Sequence, residues 1–87
     1  MYKIEYTKQA VRDISLLKNA KLDTKAKHII EIIKNNPFES YPPYEKLIGD
    51  LSGLYSRRIN IQHRIVYMVF EEEKIVRIIR MWTHYEK

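Results

Sequence analysis

The side chains that could carry acid–base chemistry lie in the second half of this 87-residue chain. Glu45 lies in the segment PPYEKL, and His84 and Tyr85 lie in WTHYEK. The intervening segment SRRINIQHR contributes three arginines, Arg57, Arg58 and Arg64. A carboxylate, an imidazole and guanidinium groups are side chains that suit cleavage of RNA by its own 2′-hydroxyl.

That reaction needs three functions and no metal ion. A base takes the 2′-proton, a cation stabilises the charge that develops on the phosphate, and an acid protonates the leaving 5′-oxygen. Glu or His can be the base, Arg can bind the phosphate, and His, with an unperturbed pKa of about 6.5, can be the acid. Each residue alone also has an ordinary interpretation as a solvated charge or an exposed chain end, so only the combination indicates this chemistry.

Several other kinds of site lack support in the sequence. His28, His63 and His84 do not follow any known metal-binding spacing, and the absence of cysteine excludes zinc–thiolate sites and disulfides. The chain also lacks a glycine-rich phosphate loop and a GxSxG motif. We therefore expect neither a metal nor a cofactor.

Composition favours a polyanionic partner. The formal net charge is +5, and the sequence pI is about 9.5, a value common among nucleic-acid-binding domains. No segment approaches the roughly 18 apolar residues of a membrane span, and the charged N-terminus is unlike a secretory signal. We expect a cytoplasmic protein that does not enter a membrane.

Two helices must lie in the first half of the chain. MYKIEY alternates as a short strand, after which Thr7 is expected to cap a helix over KQAVRDISLLKN. Asp23 is the expected N-cap of a second helix that runs to about Asn36. The expected buried faces are, for the first helix, Ala10, Val11, Ile14 and Leu17, and for the second, Leu22, Ala26, Ile29, Ile30 and Ile33.

The second half predicts a sheet. The segment NNPFESYPPYEKLIGDLSG holds every proline and glycine of the chain, which predicts an irregular connection. Strands are expected over 54–60, 63–70 and 75–82, with 63–70 central because both of its faces are largely apolar. The predicted fold is α+β: one domain, residues 1–87, with two N-terminal helices on one face of a small, mostly antiparallel sheet. The other face would carry the basic residues.

The motifs of the second half resemble a known family. PFES…YEKLIGDLSGLYSRRINIQHRIVY, followed by a terminal HY, resembles the YoeB/Txe toxins of bacterial type II toxin–antitoxin pairs, within the RelE-like superfamily. The likeness covers essentially the whole chain. It implies an endoribonuclease that cleaves mRNA in the A site of the 70S ribosome, and a bacterial cytoplasmic location.

The resemblance also implies roles for individual residues. Glu45 matches the general base, Arg64 the phosphate-binding arginine and His84 the general acid. Tyr85 matches the terminal tyrosine that helps to place the substrate, and Arg58 matches a supporting basic residue. We add Arg57 and Lys46 to the substrate-binding set, although Ile48 is the more direct match to the family's basic loop residue.

Partners and alternatives follow from the same resemblance. The family implies a neutralising antitoxin of the YefM/Axe type, and either a homodimer or a toxin–antitoxin hetero-oligomer. One alternative is a ParE-like inhibitor of DNA gyrase on the same scaffold, which would need no terminal histidine. Another is a basic RNA-binding module without catalysis, which would bind RNA in a salt-sensitive way.

Overall fold

The computed structural model describes residues 1–83. In chain order its helices and strands are β1 (Lys3–Tyr6), α1 (Lys8–Asn19), α2 (Asp23–Asn35), β2 (Tyr44–Lys46), a short 3₁₀ turn (Gly49–Leu51), β3 (Tyr55–Arg58), β4 (Arg64–Phe70) and β5 (Ile75–Thr83).

The strands form one sheet in the order β1-β5-β4-β3-β2. Among the strands of residues 1–83, only the β1–β5 pair is parallel, and the three other pairs are antiparallel. Both helices pack against the sheet and share a continuous apolar core with it. The α+β prediction is therefore confirmed, and β4 is the central strand, as its two apolar faces predicted.

The helix starts follow local capping chemistry. The Thr7 hydroxyl accepts a hydrogen bond from the Ala10 N–H at 3.0 Å, which confirms Thr7 as the N-cap of α1. The same hydroxyl donates to the Ile79 carbonyl at 2.8 Å and so ties α1 to β5. Asp23 is not the N-cap of α2, because Leu22 occupies that position and Asp23 lies in the first turn. There its carboxylate faces the positive end of the helix dipole.

The buried face of α1 differs in one position from the predicted stripe. Ala10 and Leu17 are fully buried, whereas Val11 is 54% exposed. The third buried residue of α1 is Asp13, not an apolar side chain. In α2 the predicted face is confirmed for Ala26, Ile29, Ile30 and Ile33.

The connection between α2 and β3 is more ordered than its composition suggests. Tyr44–Lys46 forms the edge strand β2, with Glu45 opposite Ser56 of β3. The prediction of an irregular segment is therefore wrong for these residues. Glu45 lies on the sheet rather than in a loop, so its position is fixed by backbone pairing.

Arg57 holds this connection in place. Its side chain is 1% exposed, and the guanidinium donates hydrogen bonds to the carbonyls of Pro37, Glu39 and Pro42. Its Nε–H donates to the Tyr67 hydroxyl at 3.1 Å. The expectation that Arg57 lies on the open face and binds substrate is wrong, since its hydrogen-bond donors are committed to the protein's own backbone.

Tyr67 completes this anchor from the central strand. Its hydroxyl donates to the Pro37 carbonyl at 2.8 Å while it accepts from Arg57. Burial raises the pKa of the Tyr67 phenol, and the nearby Arg57 cation only partly opposes this effect. The phenol therefore stays protonated and can donate to Pro37 throughout the neutral pH range.

The two adjacent arginines of β3 provide a matched test of this anchor. Arg57→Met should lower the free energy of unfolding by about 3 kcal/mol, because it removes the hydrogen bonds that the buried guanidinium makes to Tyr67 and to three backbone carbonyls. Arg58→Met, at an exposed position, should change it by less than about 0.5 kcal/mol. Urea denaturation followed by circular dichroism measures both, and equal losses would contradict the anchoring role.

Candidate active site

Glu45 and Arg64 form an ion pair on the sheet face opposite the helices. Arg64 Nη1 lies 2.7 Å from Glu45 Oε1, and it also donates to the Ser56 hydroxyl at 3.2 Å. The structure therefore brings together the predicted base and the predicted phosphate-binding cation, which are 19 positions apart in the sequence.

The strand register explains how these residues meet. Glu45 pairs with Ser56, Ser56 pairs with Val66, and Arg58 pairs with Arg64. Directly opposed residues share a face of the sheet. The long Arg64 side chain therefore crosses β3 diagonally to reach β2, and it passes Ser56, whose small side chain leaves room for it.

The two members of the pair differ in exposure. The Arg64 side chain is 17% exposed, whereas that of Glu45 is 63% exposed. An arginine held by packing at one end and open at the other is a well-placed phosphate ligand. Within residues 1–83, its guanidinium donates only to Glu45 and Ser56, so its Nε and Nη2 hydrogens face no protein acceptor.

The other predicted substrate-binding residues take different positions. Arg58 is exposed and lies directly opposite Arg64, so the structure brings these two cations together. Lys46 is also exposed, but it pairs with Tyr55, which packs against the core. Alternation along β2 therefore directs Lys46 to the side opposite Glu45, and the structure does not bring it to Arg64.

His84 and Tyr85 lie outside the described residues. The strand that leads to them is described to Thr83, and a buried carboxylate fixes its last part. Asp13 Oδ2 accepts from the N–H groups of Met81 and Trp82 at 2.8 and 3.1 Å, and from Arg80 Nε at 3.1 Å.

A β-bulge makes this interaction possible. Between the pairs Arg64–Thr83 and Val66–Arg80, β5 contains one more residue than β4. β1 ends at Tyr6, opposite Ile78, so β5 continues beyond its parallel partner. Asp13 of α1 thus accepts the backbone donors that a longer β1 would otherwise have paired.

The Asp13 carboxyl is ionised because its hydrogen bonds outweigh its burial. Burial alone would raise its pKa, but donors from Met81, Gln9, Arg80 and Trp82 lower the pKa below the usual carboxyl value. The side chain is 0% exposed. A buried anion with four donors of this kind fixes the geometry of the strand end.

Asp13, Ser56 and Arg80 were not among the residues selected from the sequence. For Asp13 a signal existed: it lies three residues after Ala10 and four before Leu17, within the apolar stripe of α1. A charge on a buried helix face needs a buried partner. No comparable signal marks Ser56 or Arg80, because their roles depend on strand register.

Two further findings concern other classes of site. Residues 1–83 contain no cluster of three or more metal-ligating side chains. The helices of that same part of the chain are too short and too polar to cross a lipid bilayer.

Comparison with known proteins links this arrangement to one family. The model of the YoeB-like toxin of bacterial type II toxin–antitoxin systems matches residues 6–85. That span includes Glu45, Arg58, Arg64, His84 and Tyr85.

Individual relatives agree with this match. A Synechocystis protein named Toxin YoeB is 37% identical over 59 residues, which is 68% of this chain and 66% of the relative. The solved YoeB–YefM complex from Staphylococcus aureus contains a chain 33% identical, with a TM-score of 0.80 and coverage of 98% of this chain and 99% of that one.

The wider fold is also represented among solved structures. The archaeal RelE–RelB complex from Pyrococcus horikoshii contains a chain 22% identical, with a TM-score of 0.78 over 99% of this chain and 98% of that one. At this identity the likeness concerns the fold alone, and it agrees with the predicted RelE-like architecture.

The Asp13 interaction predicts a specific dependence of stability on pH. Because the folded-state pKa is lowered, the ionised carboxylate stabilises the fold above the unfolded pKa of about 3.9, and this contribution is lost as pH falls through the lower folded value. Asp13→Asn should therefore be about 2 kcal/mol less stable than wild type at pH 7. The difference should narrow below about pH 4.

Urea titrations of both proteins at a series of pH values measure this difference. Asp50→Asn is the control, because Asp50 is exposed and its replacement should change stability by less than about 0.5 kcal/mol. A deficit in Asp13→Asn that stays constant into strong acid would mean that the Asp13 charge does not stabilise the strand end.

Proposed function

The chain belongs to the family of YoeB-like toxins of bacterial type II toxin–antitoxin systems, and from this premise we propose that it is a ribosome-dependent endoribonuclease. It would cleave mRNA in the A site and so stop translation in the bacterial cytoplasm. The observation that supports this proposal most directly is the Glu45–Arg64 pair at 2.7 Å on an open sheet face.

In the proposed mechanism the two described residues act on the same phosphodiester. The Glu45 carboxylate takes the proton from the 2′-hydroxyl, and the 2′-oxygen attacks phosphorus. The Arg64 guanidinium donates to the non-bridging oxygens, where negative charge develops. Because Arg64 also contacts Glu45, one cation lies beside both the base and the phosphate.

The leaving group requires an acid, and we assign that role to His84. The bond from phosphorus to the 5′-oxygen breaks, and the imidazolium of His84 protonates that oxygen. The products would be a 2′,3′-cyclic phosphate and a free 5′-hydroxyl. The proposed reaction uses no metal ion. Tyr85 and Arg58 would position the RNA, with Lys46 at the margin of the site because it points away from Glu45.

A regulatory partner is part of the proposal. The Staphylococcus aureus relative is known in a YoeB–YefM complex, and another structure from that organism is a YoeB dimer. We propose that a YefM/Axe-like antitoxin neutralises this chain, as either a dimer or a hetero-oligomer. The net charge of +5 favours an acidic antitoxin segment.

Substitutions at the ion pair test the reaction. Glu45→Gln and Arg64→Ala should each lower the cleavage rate by about 10²- to 10⁴-fold, because each removes one positioned catalytic group. Both should remain folded, since an exposed ion pair contributes little to stability. The matched control is Arg77→Ala, which removes another arginine of the sheet that pairs with Glu5 at 3.3 Å.

The measurement is mapping of mRNA 5′ ends in a reconstituted translation reaction, beside naked RNA and a His84→Gln variant. New in-frame ends that need ribosomes and disappear in Glu45→Gln, Arg64→Ala and His84→Gln would support the nuclease. Gyrase inhibition with intact mRNA would instead indicate a ParE-like activity. RNA binding without new ends would indicate a binding module.

A further inference from the structure

A concave surface lies on the helix side of the sheet, at the end of β3. It is a groove of about 410 Å³ between α2, the segment that follows it, and the end of β3. We call it the α2 groove, and its lining includes Lys25, His28, Ile29, Tyr41, Arg58 and Ile59. A volume of this size is within the range of about 300–1,000 Å³ that is common for small-ligand sites.

Arg58, at the end of β3, is the residue that links the α2 groove to the proposed active site. That residue lines the groove and also pairs in register with Arg64 across β3 and β4. A polymer whose phosphate lies on Arg64 would therefore pass Arg58 next and could place its neighbouring unit in the groove.

The charge and polarity of the groove are those of a nucleotide site. Lys25 and Arg58 contribute cations, and no Asp or Glu lines the described surface. The floor is apolar, because Ile29 and Ile59 are 4% and 1% exposed. A flat apolar floor beside cations suits a base with an attached phosphate.

Tyr41 differs from the other aromatic residues of this region in its exposure to solvent. The aromatic residues around it, Phe38, Tyr44, Tyr55 and Tyr67, contact one another inside the protein. Tyr41 is instead 80% exposed. Its neighbours in the chain are held by Arg57, which bonds to the carbonyls of Glu39 and Pro42. An exposed ring on an anchored backbone is a suitable stacking surface.

We propose that the α2 groove binds one unpaired nucleotide of the RNA, next to the phosphate that is cleaved. Tyr41 stacks on its base, and Arg58 and Lys25 bind its phosphates. The inference rests on the proposed nuclease function, which it extends by a substrate subsite. A base inside a duplex could not bind in this way, because its faces are covered by the neighbouring base pairs and none is accessible to Tyr41.

An acidic peptide, such as an antitoxin segment, is the competing occupant. Carboxylates of such a peptide would also be attracted to the groove's cations. A peptide of this kind does not, however, explain why the Tyr41 ring is exposed to solvent. RNA accounts for both features and for the connection to Arg64 through Arg58. The two occupants give different results in the experiment below.

The first arm is steady-state cleavage of ribosome-bound mRNA by the full chain. Tyr41→Ala should raise KM about tenfold with little change in kcat, because the lost stacking weakens binding and not the chemical step. Tyr41→Phe should behave as wild type, since it keeps the ring. Ile61→Ala is the control, because it removes an 86% exposed apolar side chain that does not line the groove.

The second arm does not depend on cleavage. A short fluorescent oligoribonucleotide with a 2′-deoxy sugar at the cut position is titrated with each variant, and single 4-thiouridines on either side of that position are photocrosslinked. Tyr41→Ala should weaken binding about tenfold, and one labelled position should crosslink to the peptide that contains Tyr41. If RNA binds through Tyr41 but wild type does not cut, the nuclease proposal fails and the groove assignment stands.

Three results would overturn the assignment. KM and oligonucleotide affinity could be unchanged in Tyr41→Ala. Tyr41→Phe could lose as much affinity for the oligonucleotide as Tyr41→Ala does. Alternatively, Tyr41→Ala could weaken capture of an acidic antitoxin peptide while leaving RNA affinity unchanged, which would assign the groove to the protein partner.

Discussion

The buried guanidinium of Arg57 is the interaction on which the rest of the site depends. One cation donates to the carbonyls of Pro37, Glu39 and Pro42, so the chain between α2 and β2 has a fixed course. Without those donors, the carbonyls of Glu39 and Pro42 would lose this partner, and Pro37 would keep only its hydrogen bond from Tyr67. The same bonds bring β2 to the edge of β3, and β2 carries Glu45. The candidate base is thus positioned by a residue that faces away from it.

Two anchors of opposite charge hold the two ends of the site. Arg57 fixes the segment before Glu45, and Asp13 fixes β5 up to Trp82, two residues before His84. Arg57 binds three backbone carbonyls and Asp13 binds two backbone N–H groups, so both constrain the course of the chain as well as side-chain rotamers. Strands held in this way can place reacting groups more accurately than loops can. Arg64 extends from the central strand between these two anchored parts.

The exposed and buried polar groups have different energetic roles. The Glu45–Arg64 pair is open to water on the Glu45 side, so it contributes little to folding. Arg57 and Asp13 are desolvated, so losing their partners is costly. Arg57 and Arg58 show this difference within two consecutive residues, because alternation along β3 sends one inward and the other outward.

The sequence by itself determined the helices, the positions of most strands along the chain, the central position of β4 in the sheet, and the family. Hydrophobic periodicity, the Thr7 cap and the SRRI and HRIVY motifs are local features of the sequence. Such features do not depend on which distant residues come into contact. It also indicated Glu45 and Arg64 as a functional pair. Only the tertiary structure decided that Arg57 is buried, that Glu45 lies on an edge strand, and which groups are the partners of Asp13, Ser56 and Arg80. These outcomes depend on strand register and on contacts such as Asp13 to Met81, which join residues 68 positions apart. A one-residue change of register would reverse the faces of the strand residues, and no local pattern specifies register over that distance.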